Sequence, residues 1–345
     1  MVNRHVHIIC NREMEDFTMD TIFHSKQGPN LGLHDFFLTP TNYTFSDFVK
    51  SFGIEIASEV YHSLYQSNNK QKIYRQLIPV LCKMDDSTTK YAFQLHDGRQ
   101  IETVVIKRRT GKTICLSTQV GCPIKCKFCK SGENGLIRNL SASEIVQQYL
   151  FINEDVNRIV FMGIGEPLSN YTELIKSIHI LRDRNGVNFP TDGISISTVG
   201  PADKLKLLKE EHLKVQLVLS LHATDQKTRD FLIPGMSRYS INEVIALAME
   251  YGRRHKKTIS IAYLLLPGIN DRNSDIEKLS QWFSNKNVVI NLLKFNGEKS
   301  NEFKSATDEN LKEIKQRLEK NNVNVTIRQS LGTSIKAACG QLVIK

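Results

Sequence analysis

The chain has 345 residues, 40% of them hydrophobic and 24% charged. That is enough to bury a sizeable core, as one large domain with an extension or as two domains. No apolar run reaches membrane-spanning length, and the N-terminus MVNRHVHIICNREMEDF lacks an apolar stretch followed by a small-residue cleavage site, so a cytoplasmic protein with no membrane partner is expected. A formal net charge of +10 makes a polyanion the natural partner, although composition alone does not decide this.

Residues 1–80 are irregular in pattern, apart from helical spacing in FSDFVKSFGIEIASEVYHSLYQ. We expect residues 1–85 to form a small accessory region, which could contact RNA, and residues 86–345 to form the catalytic domain. Asp97-Gly98 lies between two runs of β formers and predicts a β-hairpin extension, with a third strand at Thr113–Ser117. Ser141 and Glu144 form a capping box ahead of the helix EIVQQYLFI. Strands and helices then alternate through RIVFMG, YTELIKSIHILRD, GISISTV, PADKLKLLKEE, KVQLVLSL, INEVIALAMEYGRRH, TISIAYLLL, SDIEKLSQWF, VVINLLKF, DENLKEIKQRLEK and VNVTIRQ. Such alternation means parallel strands with helical crossovers. About six to seven strands suit an α/β fold with a partial (βα)6-type barrel better than a complete eightfold one. In such barrels the chemistry sits at the C-terminal ends of the strands.

Seven cysteines are present: Cys10, Cys82, Cys115, Cys122, Cys126, Cys129 and Cys339. The count is odd and three fall within eight positions, which argues for metal or redox chemistry rather than a disulfide framework. In GCPIKCKFCKSG the spacing is Cys-x3-Cys-x2-Cys. Three thiolates on one short loop can bind three irons of a 4Fe-4S cube and leave the fourth iron open to a substrate group. A zinc site would want a fourth ligand, and no further Cys or His lies nearby; loose thiols are the plain alternative. Phe128, just before the last of the three, would shield a cluster from water.

This loop resembles the signature of the radical S-adenosylmethionine (SAM) superfamily. The resemblance implies a cluster on Cys122, Cys126 and Cys129, with SAM chelating the open iron and an electron arriving from a donor such as flavodoxin or ferredoxin. FMGIGEPL follows one strand later, where that superfamily has its glycine-rich SAM motif. Gly163 and Gly165 would let the backbone approach a ligand, and Glu166 could take the SAM ammonium. Ser197, Ser220, His222 and Asn296 end other strands and put further polar groups at the same barrel mouth.

The words IETVVI, TICLSTQVGC, GIGEP, SLHA, LLLPGIND and AACGQL occur in order and closely resemble the RlmN/Cfr family of rRNA adenosine methyltransferases, from about residue 88 to the C-terminus. The resemblance implies that Cys339 is a methyl carrier, that Cys115 is a resolving thiol forming a transient disulfide with Cys339, and that Glu102 is a proton acceptor. It also implies two SAM molecules per turnover and methylation of carbon 2 or carbon 8 of an adenosine in rRNA, with tRNA as the alternative substrate. On chemistry alone Cys115 could serve as the base instead, and Glu102 could be a solvated strand carboxylate. Cys10 and Cys82 read as small inert hydrophobes. The chain departs from the family pattern at Lys130-Ser131-Gly132 and Ser334-Ile335, and Ala262 stands where RlmN-like members tend to have an acid and Cfr has alanine. A radical SAM enzyme acting on a peptide or small molecule, and a non-catalytic Fe–S RNA-binding protein, are the rival readings. Basic residues near the mouth (Lys107, Arg108, Arg109, Lys112, Lys125, Lys127 and Lys130) would hold phosphates without reading sequence. The run Arg253–Lys257 fits an ordinary helix end.

Overall fold

The computed structural model describes residues 39–65, 77–152, 154–297 and 302–343. Most of the accessory region, Cys10 included, lies outside them. Its described part begins with helices α1 (Phe45–Phe52) and α2 (Ile54–Tyr65), the first opened by a reciprocal capping box between Thr44 and Asp47. Phe48, Tyr61 and Tyr65 are buried in the main core, so these helices pack onto the catalytic domain.

Three antiparallel strands follow: β1 (Ile78–Met84), β2 (Thr88–Gln94) and β3 (Gln100–Arg108). The tight turn at Asp97-Gly98 joins the last two as expected. Strand β1 was not anticipated, and it pairs with β2 in the main sheet. The boundary expected at 85/86 therefore falls inside a paired hairpin. Strand β4 (Gly111–Leu116) pairs antiparallel with β3 on one side and begins the parallel part of the sheet on the other.

A short two-stranded sheet, β5 (Gln119–Gly121) and β6 (Leu136–Asn139), closes the base of the cysteine loop. Helix α3 (Ala142–Ile152) carries the expected cap: the Ser141 N–H donates to the Glu144 carboxylate at 2.9 Å and the Glu144 N–H to Ser141 Oγ at 3.2 Å. The alternation then runs β7 (Arg158–Phe161), α4 (Tyr171–Arg182), β8 (Ile194–Thr198), α5 (Ala202–Glu210), β9 (Gln216–Ser220), α6 (Gln226–Leu232), α7 (Ile241–His255), β10 (Ile259–Leu264), α8 (Asn273–Phe283), β11 (Val288–Leu293), α9 (Asp308–Lys320) and β12 (Asn324–Ile327). Among the described residues one ten-stranded sheet has the order β1-β2-β3-β4-β7-β8-β9-β10-β11-β12. Every neighbouring pair from β4 to β12 is parallel.

The two faces of the parallel strands divide the work. Ile114, Leu116, Ile159, Phe161, Ile194, Ile196, Leu217, Leu219, Ile290 and Leu292 are fully buried in the core that the helices share. Residues at the intervening positions, among them Cys115, Val160, Ser197, Ser220 and Ala262, line an internal cavity. This is the period-2 alternation of a strand with a packed outer face and a functional inner one. No helix among the described residues is long and apolar enough to cross a membrane.

Candidate active site

The cavity has a volume of about 250 Å³. Cys115, Cys122, Cys126, Cys129, Gly165, Glu166, Ser197, Ser220, His222, Asn296 and Cys339 all line it. Residues separated by more than 200 positions are thus gathered by the parallel sheet at one mouth. Glu102 does not line it.

The cysteine loop is held from both sides. The Lys127 N–H donates to the Leu232 carbonyl at 3.0 Å and the Gly235 N–H to the Ile124 carbonyl at 2.9 Å, which docks the loop on the end of α6. On the far side the Lys130 N–H donates to the Gly340 carbonyl at 2.9 Å. Burial pushes the Cys122 thiol up to about 12 and the Cys126 and Cys129 thiols upward too, the neighbouring thiols adding to the effect on each. Thiols so disfavoured as anions ionise when a metal takes the charge. Among the described residues no three Asp, Glu, His or Cys side chains converge as ligands of a single metal ion would. The three cysteines share one cavity wall instead, which suits a multi-iron cluster whose irons each take one thiolate. Phe128 lines the same cavity and sets its ring edge-on to His222, with centroids 5.0 Å apart.

The Gly-Ile-Gly-Glu turn is tight for a reason the sequence did not disclose. A Cβ on Gly163 would lie 2.7 Å from the Leu116 carbonyl carbon and the Ser117 nitrogen, and one on Gly165 2.7 Å from Gln119 Cβ. Gly163 lets the chain leaving β7 lie against the end of β4, and Gly165 lets it lie against Gln119 of β5. Glu166 is buried and much of its carboxylate is engaged. One oxygen accepts from the Leu168 N–H at 2.9 Å and Thr198 Oγ1 at 2.5 Å, the other from the Val199 N–H at 2.9 Å. Burial raises it to about 7 against the opposing pull of those donors. It ties the β7 turn to the end of β8 while bordering the cavity.

His222 has a left-handed backbone (φ 57). Its Nδ1 accepts the Leu264 N–H at 2.9 Å, so the ring proton sits on Nε2. Burial, with nearby Arg229, lowers it to about 3 and keeps the ring neutral. Asn296 reaches the C-terminal segment: its amide nitrogen lies 3.4 Å from the Cys339 carbonyl, and its own carbonyl accepts from Gln341 Nε2 at 2.6 Å.

Cys115 is partly buried and packs against Val104, Ile164, Ile335, Ala337 and Leu342. Burial pushes its thiol up to about 12; Cys339 raises it further, and Arg328 and Arg108 pull it back. Cys339 is exposed to the cavity, its Sγ 3.9 Å from Met162 Sδ. Glu102 is buried in an ion pair with Lys90 at 2.9 Å and accepts the Val343 N–H at 3.0 Å.

Several site residues were not anticipated. Met162 follows a strand the sequence shows clearly, yet nothing marks it as Cys339's neighbour. Nothing in the sequence singles out Arg328, and Arg108 reads only as part of a basic run; both line the cavity. Arg229, on the unpredicted α6, is fully buried and donates to the Leu221 and Val199 carbonyls at 2.6 Å each, joining the ends of β8 and β9. The Arg253–Lys257 run contributes nothing to the cavity lining. Arg254 pairs with Glu210 at 2.7 Å and Lys257 pairs with Asp192, at the foot of the barrel where β10 begins.

The radical SAM superfamily model matches residues 116–283. A Rhodopseudomonas palustris protein named a probable RNA methyltransferase is 47% identical over 256 residues, covering 74% of this chain and 71% of that protein. A Thermotoga maritima protein named a probable dual-specificity RNA methyltransferase RlmN is 42% identical over 264 residues, covering 75% of this chain and 77% of that one. The crystal structure of a radical SAM methyltransferase from Sphaerobacter thermophilus superposes with a TM-score of 0.81 at 29% identity, covering 88% of this chain and 99% of that chain.

Proposed function

The chain belongs to the RlmN-type family of radical SAM RNA methyltransferases, and we propose that it methylates carbon 2 or carbon 8 of an adenosine in ribosomal or transfer RNA, with Cys339 as methyl carrier. The observation that carries this reading is that two thiols outside the cysteine loop, Cys115 and Cys339, line the cavity that Cys122, Cys126 and Cys129 line. A hydrogen-abstracting enzyme for a peptide or small molecule needs neither extra thiol. The ring carbons of adenine are poor nucleophiles and do not attack a sulfonium methyl, so the methyl group must be delivered from a carrier by one-electron chemistry.

Cys122, Cys126 and Cys129 would hold the 4Fe-4S cluster, and Gly165, Glu166, Ser197, Ser220, His222 and Asn296 would border SAM. Bound together, cluster and SAM supply a hydrogen-abstracting radical once an electron arrives from a flavodoxin- or ferredoxin-type donor. The chain's own residues do the rest. Cys339 holds the methyl group as a thioether, with the Met162 thioether as its apolar neighbour. The Cys115 thiolate attacks the Cys339 sulfur, and the S–S bond forms as the S–CH2 bond breaks. The electron pair leaves on the methylene carbon, which the adenine ring stabilises and which takes up a proton to become the methyl group. An external thiol reduces the disulfide before the next turnover. Glu102, which does not line the cavity, would take the ring proton only after it lets go of the Val343 N–H and the C-terminal segment moves to open its carboxylate to the cavity. Two SAM molecules are consumed, one to methylate Cys339 and one for the radical step.

Peptide mapping of Cys339 after incubation with SAM, together with nucleoside analysis of RNA from cells with and without the protein, tests this. We expect S-methylated Cys339 and a ring-methylated adenosine only where the protein is present. Unmodified Cys339 together with unchanged RNA would overturn the proposal.

A further inference from the structure

Lys90 and Glu102 sit diagonally on neighbouring strands, since Glu102 lies opposite Ala92 in the β2–β3 ladder. Their side chains are only 6% and 7% exposed and meet at 2.9 Å. Each also makes one further hydrogen bond, and both go to the same irregular segment. Lys90 Nζ donates to the Lys336 carbonyl at 3.0 Å, and the second Glu102 oxygen accepts the Val343 N–H at 3.0 Å. Those two points bracket Cys339. Neither belongs to a strand ladder, so side chains here do what backbone pairing does elsewhere in the sheet.

We propose that Lys90 is a positioning residue, and that the Lys90–Glu102 pair is a clasp fixing where the Cys339 segment sits in the cavity. The consequence for catalysis rests on the methyl-carrier reading. Glu102 is tied up by the pair and by Val343, so it becomes free to accept a proton only as the clasp loosens at its Val343 end. Carrier movement and proton acceptance are thereby coupled through one carboxylate. Burial makes the pair a geometric device: two charges removed from water hold their places only while each keeps its partner. Lys90 touches neither the cavity nor Cys339, so its effect passes through Glu102 and the segment.

Hydrogen–deuterium exchange of the peptide spanning residues 332–343, in the cluster-loaded enzyme, tests the clasp. Lys90→Met removes the cation, Lys90→Arg keeps it, and Val343→Pro deletes the N–H that Glu102 accepts while leaving both side chains of the pair in place. We expect exchange in this peptide to quicken about tenfold in Lys90→Met and Val343→Pro, with Lys90→Arg close to wild type. We also expect Cys339 to be methylated more slowly in both loosened variants at unchanged KM for SAM. Should Lys90→Met fail to fold, Val343→Pro decides alone. Wild-type exchange and wild-type methylation in Val343→Pro would overturn the clasp. The exchange readout needs no methyl transfer, so a wild-type enzyme that never methylates Cys339 would sink the carrier reading and leave the clasp to be judged by exchange.

Discussion

Removing or re-ionising the Cys115 thiol isolates the release step of the proposed reaction. Its pKa is pushed from an ordinary 9.0 up to about 12, chiefly by burial; the smaller rise due to the Cys339 thiol is absent while that sulfur is a thioether, so the deficit worked here is an upper bound. At neutral pH such a thiol is about a thousandfold less ionised than one at 9.0. The more basic thiolate is the better nucleophile, and a Brønsted slope of about 0.4–0.5 returns roughly twentyfold, leaving a deficit of about fiftyfold. Confinement outweighs that deficit, because well-oriented intramolecular groups reach effective concentrations of about 10⁵ M or more. Cys115 therefore remains the competent thiol, but its rate should follow its ionisation.

The assay is a single-turnover reaction resolved on a denaturing gel that separates the RNA–protein conjugate. In the wild type, decay of the conjugate should quicken about tenfold per pH unit between about pH 7 and 9, because well below the pKa the thiolate fraction rises in that proportion. In Cys115→Ala the conjugate should persist at every pH, while Cys82→Ala should behave like wild type. Arg328→Gln should slow decay, since it deletes a cation that favours the thiolate. Wild-type decay that ignores pH, or normal turnover by Cys115→Ala, would refute the reasoning.

Anaerobically reconstituted protein should hold about four irons, and Cys126→Ala should hold none of the cluster while keeping its fold; iron analysis with circular dichroism checks both, and a normal iron content in the variant would count against the loop as the ligand set. Gly163→Ala should be strongly destabilised, because its Cβ would press on the backbone of Leu116 and Ser117 at 2.7 Å. Gly98→Ala, with φ of +78 and nothing within 4 Å, should cost only about 1–2 kcal/mol; thermal unfolding of the pair would show no such contrast if the strand approach were irrelevant. Arg229→Met should lose about 1–3 kcal/mol for each carbonyl left unpaired, and denaturant unfolding indistinguishable from wild type would contradict that accounting.

What could be read from the sequence was what is local in the chain. The cysteine loop declares itself because its ligands lie within eight positions, and the parallel strands because each is a short apolar run between helical patterns. The capping box of α3 and the Asp97-Gly98 turn are likewise short-range. What escaped was long-range or short in length. Strand β1 turns Ile78, Val80 and Met84 outward, so it lacks the polar outer face that would mark an alternating strand. Helix α6 is only seven residues long and reads QKTRDFL, too short for a period to emerge. The partner of Glu102 is 12 positions away on another strand, and its second contact is 241 positions away; no spacing rule reaches either.

The incomplete barrel makes sense of the C-terminal segment. Among the described residues, seven parallel strands from β4 to β12 leave the sheet unclosed, and residues after β12 run back towards β3 and β4. There Ile335, Ala337 and Leu342 pack on Val104, Ile106 and Cys115. An eighth strand in that place would be fixed by a continuous ladder of backbone hydrogen bonds. The segment is held instead by scattered bonds to Lys90, Glu102, Lys130, Ser131 and Asn296. Each of these can be released without unzipping its neighbours, and local opening of this kind costs far less than global unfolding. On the proposed methyl-carrier reading, a Cys339 that first accepts a methyl group and then presents it to a second substrate is better carried on such a segment than on a strand. Cys115 lies on β4, and on the same proposal the resolving thiol waits there at a fixed position while its partner sulfur moves.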